Sequence, residues 1–402
     1  MRQLLCYGLM GLLFACNQNK MSEEKLAKMQ AQLLTAGGKI VQQQLADRWW
    51  SEYQKPGIPV VHDSTALFLY KGPAQTVQLA GDMTSWQPGG KFQRLGETDL
   101  HALQAHFPDS ARFNYQLIVD ELWTLDPANP KQIMTELGPR SELRMPRYKP
   151  LPWLDGMPQA PRGQIEEFTI YSQTLANQRP IRIYLPPGYA QSQVVYPTLY
   201  VNDGLEYLDL AKLNFTLDYL INAGEIRPVV VVCVSPLKDK RNEEYGNNAK
   251  FVEFICRELV PRIQKRYRVV DDADHRGIMG ASLGGFTAFQ IALQNPDVFR
   301  LVAGQSSYFG YNNGSIFSLL PKVDLTLFSF YISCGTYETD VASTGSSFIE
   351  MHFRMRDQLR TGRARFGYRE VAAGHGWGFW RDNLPQVLKY LFPAERIAQT
   401  LD

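Results

Sequence analysis

Cysteine is scarce in this chain of 402 residues: there are five, at Cys6, Cys16, Cys233, Cys256 and Cys334. No two stand in C-x-x-C spacing, and the histidines complete no zinc-type pattern with them. Neither a disulfide-stapled small fold nor a zinc module is indicated, and no metal or other cofactor is expected. Cys233 and Cys334 fall in apolar strand-like runs and Cys256 in a helical stretch, so all three read as core thiols. An excess of one charge is also missing. Lys and Arg number 42 against 40 Asp and Glu, a net +2, which provides no overall basic field for nucleic acid. Long apolar runs are absent as well. Beyond the N-terminus no stretch reaches the roughly twenty apolar residues of a membrane span. What is present is 45% hydrophobic and 20% charged, as in a globular protein with a large core in two or three domains.

The chain starts with a short basic segment, Met1-Arg2-Gln3, and an apolar run from Leu4 to Ala15. The run is too short to span and ends in small residues, so 1–16 reads as an export signal. Its end, Leu13-Phe14-Ala15-Cys16, resembles a bacterial lipobox. That resemblance implies a lipid on Cys16, a membrane contact through that anchor alone, and an exported protein held at the outer membrane. Residues 17–58 read as a helical tether that partly docks on the body. Ser22 can cap a helix whose Leu26, Met29 and Leu33 share a face, Gly37-Gly38 breaks it, and a second segment carries Ile40, Val41, Leu45 and Trp49.

Residues 59–147 change to short strands of period two, such as Ala66–Tyr70, Thr76–Ala80 and Phe113–Val119, separated by Gly, Pro and Asp turns. They predict a small all-β sandwich. A Pro- and Gly-rich linker follows over 148–164. From 165 to 402 strands alternate with helices. The strands are expected at Glu166–Ser172, Ile181–Leu185, Thr198–Val201, Val229–Val234, Gly277–Gly280, Leu327–Cys334 and Phe366–Val371. Helices are expected near Asn214–Ala223, Lys250–Tyr267, Phe286–Gln294, Ser346–Thr361 and Asn383–Leu391. Runs such as Val229–Val234 are apolar throughout, as a sheet covered on both faces requires. The fold class is therefore α/β, with a doubly wound sheet.

Inside that region stands Gly280-Ala281-Ser282-Leu283-Gly284, a G-x-S-x-G nucleophile elbow between a strand end and a helix. The turn is so sharp that side chains at Gly280 and Gly284 would collide with their surroundings, and Ser282 takes strained dihedrals. The turn also aims a helix N-terminus at the hydroxyl, which favours the negative charge of a tetrahedral oxyanion. A serine hydroxyl needs a base, and the base needs an acid that orients it. In an α/β-hydrolase both follow the serine in the order acid, then histidine. His375 lies in a glycine-rich loop after a strand and is the expected base. His352 lies within a predicted helix and His275 before the elbow strand. The acid should follow the strand ending at Cys334. Glu338 and Asp340 are both candidates, and Glu338 is nearer the strand end. For the oxyanion hole the amide of Leu283 is expected, with a second from the loop Asp203-Gly204-Leu205-Glu206, for which Leu205 is chosen.

Seven segments now follow in order: Arg182-Ile-Tyr-Leu-Pro-Pro-Gly-Tyr189, Asp203-Gly204, Arg241-Asn-Glu-Glu-Tyr245, Glu258-Leu-Val-Pro-Arg262, Gly280-Ala-Ser-Leu-Gly-Gly285, Cys334-Gly-Thr-Tyr-Glu338 and Gly374-His-Gly-Trp-Gly-Phe-Trp380. Together they resemble the Putative esterase family of α/β-hydrolases, which includes enterochelin esterases, feruloyl esterase domains and S-formylglutathione hydrolases. The stretch Leu79 to Trp86 and the run Leu125-Asp-Pro-Ala-Asn-Pro130 resemble the immunoglobulin-like module in front of enterochelin esterases, and related glycogen-binding modules. Trp86 and Trp123 are the residues such a module could use to stack a sugar. The resemblance supports Ser282, His375 and Glu338 as a triad and implies a small-molecule ester substrate, a siderophore trilactone or an aryl ester on a polysaccharide. An acyltransferase and an inactive surface binding protein are the rival readings. The strand-end loops carry Arg241, Tyr245, Tyr207, Tyr308, Phe309, Tyr311, Trp377 and Trp380. These are the candidate substrate contacts, an aromatic wall with an arginine suited to a flat phenolic or acidic acyl group.

Overall fold

The computed structural model describes residues 25–154, 160–237, 239–339 and 347–394. They fall into two compact units. One takes the chain up to Lys149 together with Ala372–Gly374, and the other Pro150–Val371 and the chain from His375 on. Among the described residues no helix is long and apolar enough to cross a membrane. Cys6, Cys16 and Asp340 lie outside the described residues.

In the first unit every strand pairing is antiparallel. A four-stranded sheet runs Val60–His62, Thr65–Lys71, Leu100–His106 and Gln93–Arg94 in spatial order. A six-stranded sheet is centred on Arg112–Val119. The core holds aromatic pairs such as Phe68 and Tyr115, edge to face at 5.4 Å between centroids. Two helices, over 25–35 and at Gly38–Gln54, flank the Gly37-Gly38 break. Met29, Leu33, Ala46 and Trp49 on these helices join one buried cluster with Leu67, Leu69, Leu100 and Ala102 of the four-stranded sheet. The described part of the segment read as a docking tether is therefore packed on this unit. Trp86 donates its indole N–H to Asp82 at 3.1 Å, while Trp123 is 47% exposed.

The second unit is built on one eight-stranded sheet. Its strands are β1 (Gln164–Ser172), β2 (Asn177–Leu185), β3 (Thr198–Asn202), β4 (Val230–Val234), β5 (Arg276–Ala281), β6 (Leu301–Gln305), β7 (Ser329–Gly335) and β8 (Arg365–Val371). The spatial order is β1-β2-β4-β3-β5-β6-β7-β8. Only β2 runs against its neighbours; every pairing from β4 to β8 is parallel. Strands β3 to β7 are buried along their whole length, which explains their near-continuous apolar sequence. This is an α/β-hydrolase-type mixed sheet, and β5 lies in its interior between β3 and β6.

Three features depart from the sequence reading. Strand β6 was not expected there. Leu-Val-Ala-Gly-Gln is short and carries Ala and Gly, which have little strand preference of their own. The helix Leu283–Gln294 starts directly after the serine, and the last helix starts at Trp377 and passes through Pro385 to Leu391. The helical stretch expected from Lys250 contains a π segment, Phe254–Leu259, just before Pro261. A wider turn there accommodates a ring that carries no N–H and crowds the preceding turn.

Candidate active site

Ser282 joins β5 to the helix Leu283–Gln294 at φ 54° and ψ −123°. That region is costly for any residue with a Cβ and persists only where the surroundings enforce it. Here they do. The Ser282 N–H donates to Gln305 O at 3.0 Å, and its carbonyl accepts from Gly285 N at 3.1 Å, Phe286 N at 3.1 Å and Tyr308 N at 2.9 Å. Gly280 permits the turn, because a Cβ there would lie 2.4 Å from the backbone of Gly284. A Cβ at Gly284 would lie 2.5 Å from Asp203 Oδ2. The side chain of Ser282 is left partly exposed.

His375 follows β8 in the loop before the helix Trp377–Leu391. Its Nδ1 lies 2.7 Å from Glu338 Oε2. Glu338 follows β7 and is 1% exposed. Its other oxygen, Oε1, accepts from the Ser306 hydroxyl at 2.7 Å and from Gly335 N–H at 2.7 Å. Burial pushes the carboxyl upward, but the His375 charge, the His375 and Ser306 hydrogen bonds and the Gly335 amide outweigh it and bring it below the usual glutamate value. Phe348 meets the His375 ring edge to face at 4.8 Å, and Trp380 meets it at 5.1 Å. Phe348 also stacks on Tyr308 at 5.1 Å, and Tyr308 N–H is bonded to the Ser282 carbonyl. An unbroken run of contacts thus links the serine turn to the histidine at the C-terminal ends of β5, β7 and β8. Open α/β sheets bind their ligands at that edge.

The turn after β3 is tied to the elbow. Asn202 Nδ2 donates to Gly284 O at 2.9 Å, and Asp203 N–H to the Tyr245 hydroxyl at 2.9 Å. The choice of Leu205 for the oxyanion hole is corrected here. Its N–H is donated to Ser235 Oγ at 3.0 Å, and that hydroxyl donates in turn to Glu206 at 3.0 Å. Leu283 opens its helix, and the first N–H groups of a helix have no acceptor within it.

Most of the expected substrate contacts are also corrected. Arg241 spends its fork on Asp203, with Nε to Oδ1 at 2.8 Å and Nη2 to Oδ2 at 2.7 Å, so it braces the β3 turn. Tyr245, Tyr207 and Phe309 are fully buried. The Tyr207 hydroxyl donates to Gln305 at 2.8 Å. Trp377 and Trp380 are each 5% exposed, and Trp380 donates its indole N–H to Ser306 Oγ at 2.9 Å. Only Tyr308 and Tyr311 remain partly exposed among the aromatics. They meet edge to face at 5.7 Å. His352 is fully buried, accepts from Ser307 N–H at 3.1 Å through Nε2, and donates from Nδ1 to Phe348 O at 2.8 Å. His275 pairs with Asp272 at 3.0 Å beside the start of β5, away from Ser282. The residues missed were Ser306 and Gln305. Their only sequence signal was the Gln-Ser-Ser run at the end of the unexpected strand β6.

Comparison with known proteins gives the following. The model of the family described as Putative esterase matches residues 172–391. The iron(III) enterobactin esterase of Escherichia coli O6:H1 is 26% identical over 273 residues, 65% of this chain and 66% of that one. An endo-1,4-beta-xylanase/feruloyl esterase of Xylanibacter ruminicola is 27% identical over 191 residues, 44% of this chain and 25% of that protein. The chain thus spans just under two thirds of the first relative and a quarter of the second. The crystal structure of the enterobactin esterase from Shigella flexneri in the presence of enterobactin matches with a TM-score of 0.71 at 22% identity, covering 86% of this chain and 97% of that one. At that identity the likeness is one of fold.

Proposed function

The chain belongs to the Putative esterase family, and from that membership we propose that it is a serine carboxylic ester hydrolase working through Ser282, His375 and Glu338. Ser282 Oγ attacks the ester carbonyl carbon while His375 Nε2 takes the hydroxyl proton. Glu338 Oε2 accepts the Nδ1–H, fixes the tautomer and stabilises the imidazolium. The oxyanion forms against the amide of Leu283 and, in place of Leu205, the amide of Gly204, which opens the short helix Gly204–Asp209. His375 then returns the proton to the leaving alkoxide. Water, deprotonated by the same histidine, attacks the acyl-serine and releases the acid. The observation that carries this reading is the Glu338–His375 pair, a buried carboxylate 2.7 Å from a partly exposed imidazole.

The acyl group we assign is phenolic, as in a catecholate or feruloyl ester. Enterobactin and feruloyl esterases stand among the relatives, and the part-exposed Tyr308 and Tyr311 offer ring faces at the same edge. An acyltransferase would use the same serine with an alcohol in place of water. A binding protein without activity would gain nothing from the strained serine. The first unit we take as an immunoglobulin-like sandwich, and Cys16 as a lipid attachment point at the outer membrane. Incubation with a fluorophosphonate followed by peptide mapping tests the central reading. Phosphonylation on Ser282 supports it, and a labelled site elsewhere or none overturns it.

A further inference from the structure

Trp380 has no part in the bond-making steps above, yet its indole nitrogen is bonded to the serine hydroxyl that holds the acid. The indole N–H is a donor only, with no lone pair to accept. Ser306 Oγ, 2.9 Å away, must therefore accept from it. A serine hydroxyl has one proton, and the Ser306 proton is directed to Glu338 Oε1 at 2.7 Å. Gly335 N–H reaches the same oxygen at 2.7 Å. Oε1 thus receives two donors, and Oε2 faces His375. Ser306 is itself held in place: it is fully buried, at φ 46°, with its N–H on Ser333 O at 2.7 Å.

We propose that Trp380 and Ser306 are positioning residues that keep Glu338 ionised: Trp380 sets the direction of the Ser306 hydroxyl, and Ser306 holds the carboxylate for His375. The proposal rests on the triad reading. Among the described residues two other titratable groups pack against the pair. Cys334 bonds Glu338 and is held as a thiol by burial, and His352 is held neutral by burial.

The sign of the effect follows from charge. The Glu338–His375 pair carries −1 before it takes a proton and 0 after. Donors aimed at the carboxylate favour the −1 state more, because in the protonated pair the imidazolium already satisfies it. Removing them makes the pair hold its proton more tightly. The acid limb of kcat/KM, which reports that protonation, then moves to higher pH.

The test is the pH profile of kcat/KM on 4-nitrophenyl acetate for the full chain, Trp380→Phe, Ser306→Ala and the double variant, with thermal unfolding followed alongside. Trp380→Phe keeps a ring against His375 and removes the N–H donor together with part of the indole's bulk, and the thermal unfolding accounts for the lost bulk. The limb is expected to rise by on the order of half a pH unit in each single variant. The rate should fall by roughly tenfold, the scale of one hydrogen bond to a charged group. In the Ser306→Ala background Trp380→Phe should add nothing, since it acts through that hydroxyl. A limb that stays or moves down, or two losses that multiply in the double variant, overturns the proposal. Should either variant melt before assay, the low-field proton resonance of His375 Nδ1–H in the other one is titrated instead, with the same upward shift expected. Failure of Ser282 to take a fluorophosphonate in the wild type overturns this proposal and the triad together. Labelled Ser282 with an unmoved limb overturns this proposal alone.

Discussion

Glu338 Oε2 and His375 Nδ1 lie 2.7 Å apart although 37 residues separate them in the chain. The strand ends of β7 and β8 place them, and the Ser306 and Gly335 donors hold the other carboxylate oxygen. Glu338→Gln is therefore expected to lower kcat by on the order of ten-thousand-fold with little change in KM, as loss of the group that sets a catalytic histidine's tautomer does. Asp340→Asn should cost far less. Steady-state kinetics of the two variants checks the ranking, and the reverse order would transfer the role to Asp340.

Arg241 separates bracing from ligand contact. Its guanidinium is paired in a fork with Asp203, whose side chain is 4% exposed. Arg241→Ala strands that carboxylate and should lower stability by about 2 kcal/mol, below the cost of breaking a fully buried pair because the Arg241 side chain is 38% exposed. Adding Asp203→Asn should restore much of the loss. Chemical denaturation of the single and double variants measures it. A rise in KM with unchanged stability would return Arg241 to the substrate.

How much of this could be read beforehand depended on distance along the chain. The elbow was legible because its tightest steric demand is local: a Cβ at Gly280 would meet the backbone of Gly284, two residues past Ser282. The pairing of His375 with Glu338 was legible because both stand in loops that directly follow strands. The aromatic wall was not legible. Tyr207 and Tyr245 look like loop residues, yet their hydroxyls meet Gln305 and the Asp203 amide, 98 and 42 residues away. Strand β6 was missed for a similar reason. Its Gly304 leaves room for the Ser307 hydroxyl, which a Cβ would meet at 2.1 Å, a fit set by the turn after it and not by strand preference. The Leu205 amide has its acceptor on Ser235, 30 residues on.

His352 predicts a pH dependence of stability. Burial pulls its pKa down to about 4 from the ordinary 6.5. Above pH 6.5 both folded and unfolded states hold it neutral, and it contributes nothing. As pH falls from 6.5 towards 4 the unfolded state takes a proton that the folded state refuses, and stability drops by on the order of 3 kcal/mol. Asp126 in the first unit, raised by burial to about 6, has the opposite sign, gaining stability as pH falls through 6. Unfolding of the wild type and His352→Gln between pH 7 and 4 isolates the histidine. The variant should show a shallower loss in that window, and parallel curves would contradict the assignment.

The acyl preference follows from Tyr308 and Tyr311, the part-exposed rings at the binding edge. Hydrolysis of a feruloyl ester should proceed with a higher kcat/KM than that of a long-chain acyl ester of the same alcohol. Tyr308→Ala should reduce the difference by roughly tenfold, the scale of one aromatic stacking contact. A clear preference for long acyl chains would point to a lipase-like pocket.

The anchor reading makes a prediction of its own. Cys16→Ser should move the protein from the membrane fraction to the soluble one. Mass spectrometry of the wild-type mature N-terminus should find a lipid on Cys16, and an unmodified Cys16 would contradict it.

The central claim is that Ser282 is the nucleophile, and the most direct measurement is the turnover of Ser282→Ala on an aryl ester. The variant keeps a Cβ at the strained φ of 54° and leaves the backbone turn as it is, so its melting temperature should stay close to that of the wild type. Its kcat should fall by on the order of a million-fold. A folded Ser282→Ala protein that retains esterase activity near the wild-type rate would contradict the account.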